Sequence, residues 1–194
     1  DVSLGAGITV SGVTVANGVV TANVTVAPDA KAGPRDVVVA GVVKPSSLVV
    51  YEKVDGLRVL PRAGLARTGG AVFPKGFQQF EAMAFANGPD AKPNTRDDWP
   101  LGLVDAKWGV EEYSATFNDD DLKYVGSIDA KTGFFTPALD GPNPARSGNR
   151  NNIGDLWITA DYTPDGAAEP IRARAQIVVA PPVYMRWMAS EVGK

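Results

Sequence analysis

The 194-residue chain contains no histidine and no cysteine. Without imidazole there is no neutral-pH base, no Ser-His-Asp relay and no nitrogen ligand for haem, copper or zinc. Without thiolate there is no cysteine nucleophile, disulfide, Fe–S cluster or thioether link to haem. Long hydrophobic runs are missing too, since no stretch approaches the roughly 18 apolar residues of a membrane span. Charge of one sign is scarce: 19 Lys and Arg face 22 Asp and Glu, a formal net charge of −3. With no basic stripe, nucleic acid and an anionic membrane surface are poor partners. Chemistry in this chain must rest on carboxylates, hydroxyls, lysine or arginine, or be done by a partner.

What the chain does have is turn residues. Gly and Pro together number 36, well above an average share of roughly 12 %. With 44 % hydrophobic residues a core can still be buried, so the composition is that of short strands and tight turns, not of disorder. Residues 8 to 54 alternate apolar and small polar side chains. They read as strands at 8–10, 13–15, 19–27, 37–43 and 47–53, each of period two. The breaks fall at Ser11-Gly12, Asn17-Gly18, Pro28 to Pro34 and Lys44-Pro45. Asn17-Gly18 is the strongest hairpin signal, because a type I′ turn needs positive φ at both central residues.

Residues 54 to 64 read as a junction or crossing strand. Strands follow at Phe77 to Phe85 and around Val104 to Val110, where Trp108 faces inward as the buried tryptophan of a central strand. Tyr124 to Asp129 and Phe134 to Pro137 form a hairpin about Thr132-Gly133. Asp155 to Tyr162 and Ile171 to Ala180 are joined across Pro164-Asp165-Gly166. No helical period of ten or more residues is present. The pattern predicts an all-β protein of two tandem immunoglobulin-like β-sandwich domains, residues 1–56 and 57–194. Five short strands in the first, against seven in a complete sandwich, lead us to expect one or two more upstream of Asp1, and a start inside a strand-like run is expected of a processed or excised piece.

Two polar loops interrupt the second module. In NGPDAKPNTRDDWPLG, residues 87–102, Asp90, Asn94, Asp97 and Asp98 are oxygen ligands of the type Ca²⁺ accepts. The one-three-five spacing of an EF-hand is absent, and an Asx-rich turn is the plainer reading. In DGPNPARSGNRNNIGD, residues 140–155, Arg146 and Arg150 with Asn149 and Asn151 are candidates for charge-assisted bonds to a partner. The alternative is a loop whose asparagines cap their own backbone. Beyond the last strand, Tyr184, Arg186 and Trp187 are residue types enriched in interface cores, or else fold back on their own sandwich. Glu111-Glu112 and the Asp119 to Asp121 run are carboxylates that nothing places across a glycosidase-like cleft. Gly5-Ala6-Gly7 lacks the third glycine of a dinucleotide fingerprint, and Asn23-Val24-Thr25 is a formal sequon.

Two stretches carry a resemblance. GITVSGVTVANGVVTANVTVAPDAKAGPRDVVVAG is similar to bacterial immunoglobulin-like modules of the early-set and IPT type. FPKGFQQFEAMAFANGPDAKPNTRDDWPLGLVDAKW, VGSIDAKTGFFTPALDGPNPARSGNRNNIGDLW and the closing YMRW…EVGK resemble the C-terminal region of the haem-bearing alpha subunits of bacterial quinohemoprotein amine dehydrogenases. The resemblance implies a periplasmic complex that oxidises primary amines to aldehydes and passes electrons through quinone and haem. Its partners would be the preceding domains of the alpha subunit, a propeller beta subunit and a gamma subunit carrying cysteine tryptophylquinone. No haem-attachment CxxCH motif is present, so haem c and the quinone belong elsewhere in the complex and no catalytic residue carries over. The expectation is a non-catalytic structural and assembly portion of such an enzyme. Its rivals are a cell-surface adhesin or carbohydrate-binding sandwich using Trp99 and Trp187, and a carboxylate-based hydrolase.

Overall fold

The computed structural model describes residues 1–114, 120–146 and 151–182. Among the described residues the chain is mostly β, with fifteen strands and one four-residue helical turn. No helix among the described residues is long and apolar enough to cross a membrane. Backbone contacts divide the chain into two compact units, residues 1–57 with 83–103 and residues 58–82 with 104–194.

The chain opens with β1 (Val2–Ser3), β2 (Ile8–Ala16), β3 (Val19–Val26), β4 (Gly33–Val39) and β5 (Val42–Val50). β2 and β3 form a two-stranded hairpin, while β1, β4 and β5 make a sheet in the order β1-β4-β5. The hairpin turns at Asn17 and Gly18, whose φ values of 50° and 77° meet the type I′ requirement. The runs expected separately at 8–10 and 13–15 are one strand, bent by a register shift between Ser11 and Thr14. On this hairpin Ile8, Val10 and Val15 oppose Val26, Val24 and Val20, and Val15, Val20, Val24 and Val26 remain exposed.

Two readings of this region need correction. The run from Val37 to Val43 is not one strand: it turns at Ala40 and Gly41, both at positive φ, and Val39 pairs back on Val42. Lys44-Pro45 does not break the chain either, but lies within β5. That strand is an edge of its sheet, where a proline without an N–H is tolerated.

Next come β6 (Gly56–Leu60) and β7 (Ala63–Arg67), separated by a cis Leu60–Pro61 peptide. β8 (Gln78–Gln79), β9 (Glu81–Ala86), β10 (Trp99–Val104) and β11 (Lys107–Glu112) follow, then α1 (Asp121–Tyr124). The last strands are β12 (Gly126–Ile128), β13 (Phe134–Pro137), β14 (Gly154–Tyr162) and β15 (Ile171–Ala180). The expected strand from Phe77 to Phe85 is two strands in two sheets. β8 joins the order β12-β13-β8 and β9 the order β10-β9-β6. Phe80 stands between them, fully buried, its N–H donated to Gly133 O at 2.9 Å.

The second unit is built on a four-stranded sheet in the order β11-β14-β15-β7, antiparallel except for the parallel β15–β7 pair. Alternate residues of β14 and β15 supply its core. Leu156, Ile158 and Ala160, then Ala175, Ile177 and Val179, are buried, as period two demands. Each of the larger ones contributes about 1.5–3 kcal/mol by leaving water. Trp108 is buried as expected, but on an edge strand. Its indole closes over the Thr132-Gly133 turn, where a Cβ on Gly133 would come within 2.7 Å of the ring.

Candidate functional site

The loop between β13 and β14 is held by one side chain. Arg146 is buried, only 1 % of its side chain being exposed. Its Nη2 lies 2.6 Å from Asp120 Oδ1 and 2.5 Å from Asp121 Oδ1, and its Nε donates to Asp120 Oδ1 at 2.8 Å. Nη1 donates to the carbonyls of Asn151 and Ile153, both at 2.9 Å. Asp121 in turn accepts the Asp155 N–H on Oδ2 at 2.8 Å. The guanidinium thus joins α1 to the loop and to the start of β14. Burial alone would lower the Arg146 pKa, but the bonds to Asp121 and Asp120 outweigh it and raise the value. Gly154 admits this arrangement, because a Cβ there would overlap the Asp121 carboxylate.

The loop's asparagines complete it. Asn143 Nδ2 donates to Asn152 Oδ1 at 2.8 Å, and Asn143 Oδ1 accepts the Ala145 N–H at 2.9 Å. Asn151 Oδ1 accepts the N–H groups of Gly141 and Asn152, and Asn152 Nδ2 donates to Leu139 O. Of the residues expected to meet a partner, Arg146 and Asn151 are therefore engaged within the loop. Asn149, Arg150, Tyr184, Arg186 and Trp187 lie outside the described residues.

The four oxygen-bearing residues of the earlier loop come together as an Asx web. Asp90 Oδ1 accepts the Lys92 N–H at 2.8 Å, Asp97 Oδ2 the Asp90 N–H at 3.1 Å, and Asp98 Oδ2 the Asn94 N–H at 3.0 Å. The Thr95 hydroxyl donates to Asp98 Oδ1 at 3.1 Å. Hydrogen bonding from Thr95, then from the Asp90 N–H, holds the Asp97 carboxyl below the ordinary carboxylate range. Among the described residues no group of three or more His, Cys, Asp or Glu is placed to hold a metal ion.

Glu111 belongs to an ion network on the outer side of the four-stranded sheet. Arg172 reaches Glu111 Oε1 at 2.8 Å and clamps Asp161 with two bonds of 2.7 and 2.8 Å. The Arg172 hydrogen bonds hold the Asp161 pKa down. The sequence reasoning missed the pairing of Arg146 with Asp120 and Asp121, some 25 residues away. The signal in the chain was an unexplained acidic run and an arginine inside an asparagine-rich loop.

A family model described as quinohemoprotein amine dehydrogenase, alpha subunit domain IV, matches residues 57–192. Comparison with the curated proteins returned no match.

Proposed function

The chain belongs to the family of quinohemoprotein amine dehydrogenase alpha subunit domain IV, and from this premise we propose that it is a non-catalytic, structural and assembly portion of that subunit. The match over residues 57–192 carries the reading. We take residues 57–194 as one immunoglobulin-like sandwich and 1–56 as another, with residues 83–103 of the former packing in the first compact unit. The four-stranded sheet and the small β12-β13-β8 sheet, both contributing buried apolar side chains, support the first assignment.

Haem c and cysteine tryptophylquinone do not fit this chain. Thioether attachment, haem ligation by imidazole and a cysteine cross-link all need residues it lacks. Those groups belong to other parts of a periplasmic enzyme that oxidises primary amines to aldehydes. The partners are the preceding domains of the alpha subunit, the propeller beta subunit and the quinone-bearing gamma subunit. The loop at 140–155 and the tail beyond residue 182 are the contact surfaces in this reading. The open valines of β2 and β3 are a second apolar surface for neighbouring domains to cover.

The test is assembly. An alpha subunit carrying Arg150→Ala, or Tyr184→Ala with Trp187→Ala, is expected to co-purify poorly with the beta and gamma subunits while melting unchanged on its own. Full assembly by both variants overturns the interface assignment.

A further inference from the structure

A cleft of about 210 Å³ opens in the first unit, beside the segment that follows β5 and the loop that follows β9. Its walls include Tyr51, Glu52, Lys53, Asp55, Asn87 and Trp99. We propose that this cleft binds the pyranose ring of a neutral sugar.

The charges in the wall select the ligand class. Glu52 and Asp55 repel an anion, while Lys53 repels a cation and already sits on Asp55, its Nζ 3.1 Å from Oδ1. A hydroxyl group both donates and accepts, so a polyol is the ligand that such a mixed wall favours. The Asp55 carboxylate is fixed for this use: its Oδ2 accepts the Asn87 N–H at 2.8 Å and its side chain is 15 % exposed. Lys53 is 79 % exposed, and an exposed ion pair contributes little, so a ligand hydroxyl displaces it at small cost. Asn87 Oδ1 is buried without a hydrogen-bond partner among the described residues, while Asn87 Nδ2 donates to Ala91 O at 3.2 Å.

The apolar half of the recognition is aromatic. Tyr51 and Trp99 line the same cleft, and the C–H faces of a pyranose pack on aromatic rings while its hydroxyls meet the polar wall. The volume lies below the roughly 300–1,000 Å³ of a drug-sized pocket, which limits the occupant to one ring. This site is independent of the assembly role and lies wholly within residues 32–99.

The experiment is an NMR titration of the ¹⁵N-labelled 194-residue chain with methyl α-D-glucopyranoside and methyl β-D-galactopyranoside. The expected result is saturable shifts at the amides of residues 51–55, 87 and 88 and at the Trp99 indole N–H. The Kd for at least one sugar should lie at roughly 0.1–10 mM. Tyr51→Ala, at an exposed side chain, and Trp99→Ala should each weaken binding at least tenfold with the circular-dichroism melt of Tyr51→Ala unchanged. No saturable shift from either sugar at about 50 mM overturns the proposal. So does saturation by tetramethylammonium or acetate with both sugars silent, or sugar binding that survives Tyr51→Ala and Trp99→Ala together.

Discussion

Replacing Arg146 with alanine tests the loop architecture most directly. The variant removes a guanidinium that bonds two carboxylates and two backbone carbonyls, with 1 % of the side chain exposed. Breaking a buried ion pair by deleting one partner costs about 3–5 kcal/mol, because the remaining charge stays behind without compensation. In a chain of this length each kcal/mol moves the melting point by roughly 2–4 °C, so the expected fall is about 6–20 °C. Differential scanning calorimetry of the purified chain reads this directly.

The same variant carries a sign prediction in pH. The Arg146 pKa is raised above the ordinary, strongly basic arginine value, so its contribution is fully present at every pH below that value and is lost only as pH rises through the folded one. Between pH 6 and 9 the difference in melting point between wild type and Arg146→Ala should stay constant. A double variant separates charge from packing. Arg146→Met with Asp121→Asn should lose less than the two single losses combined, since one carboxylate, Asp120, then faces the apolar neighbour instead of two. A fall smaller than about 2 °C for Arg146→Ala, or strict additivity in the double variant, refutes the claim that this cluster holds the loop.

Gly154→Ala places a methyl group on the Asp121 carboxylate and should cost about 1–3 kcal/mol, read by urea unfolding. Gly109→Ala, which meets only Thr159 Oγ1 at 3.0 Å, should cost much less. Gly88→Ala drives a Cβ into the Asp97 backbone and should cost about 1–3 kcal/mol, with faster amide exchange at residues 90–98. Asp161→Asn bears on acid stability. The folded pKa of Asp161 is lowered from 3.8 by the Arg172 bonds, so its contribution is present above that value and lost as pH falls through the depressed one. Wild type should therefore melt slightly higher than Asp161→Asn at pH 7, and the two should converge as pH falls through the depressed value.

Where the chain's own periodicity carried the information, strands were legible. Ile171 to Ala180 is a ten-residue strand with bounds as expected, because apolar residues alternate with Arg172, Arg174 and Gln176 before an apolar run that Pro181 ends. Asn17-Gly18 and Thr132-Gly133 marked their turns through residues that accept positive φ. Ala40 did not, since alanine seldom leaves the right-handed or extended regions, and apolar residues on both sides hid the turn. Phe80 hid a sheet boundary for a related reason, as alternation continues unbroken while the hydrogen-bond partners change from β13 to other strands. The loop core was not legible at all. Arg146 and Asp121 are 25 residues apart, and Arg172 and Glu111 are 61 apart. Such pairs arise only when separate strands are brought into register, so no window of sequence contains them.

The burial of Arg146 changes what the loop offers to a partner. A guanidinium already bonded to Asp120 and Asp121 has no charge to spend on another subunit, so any effect of Arg146 on assembly must pass through the shape of the loop. The surface that this shape presents includes Ile153 and Leu139, which stay exposed, the latter to 57 %. Shape and charge respond differently to salt. Contacts between exposed charges weaken as ionic strength rises and the screening length falls below about 10 Å, whereas apolar burial does not. If Arg146 acts as an internal strut, Arg146→Ala should reduce association with the beta and gamma subunits by a factor that is the same at about 50 and 500 mM salt. That reduction should accompany the fall in melting point. Arg150→Ala, if that residue meets a partner's carboxylate, should reduce association chiefly at low salt and leave the melting point alone. An Arg146→Ala defect that appears only at low salt, with no change in stability, would place its guanidinium in the interface and overturn the strut.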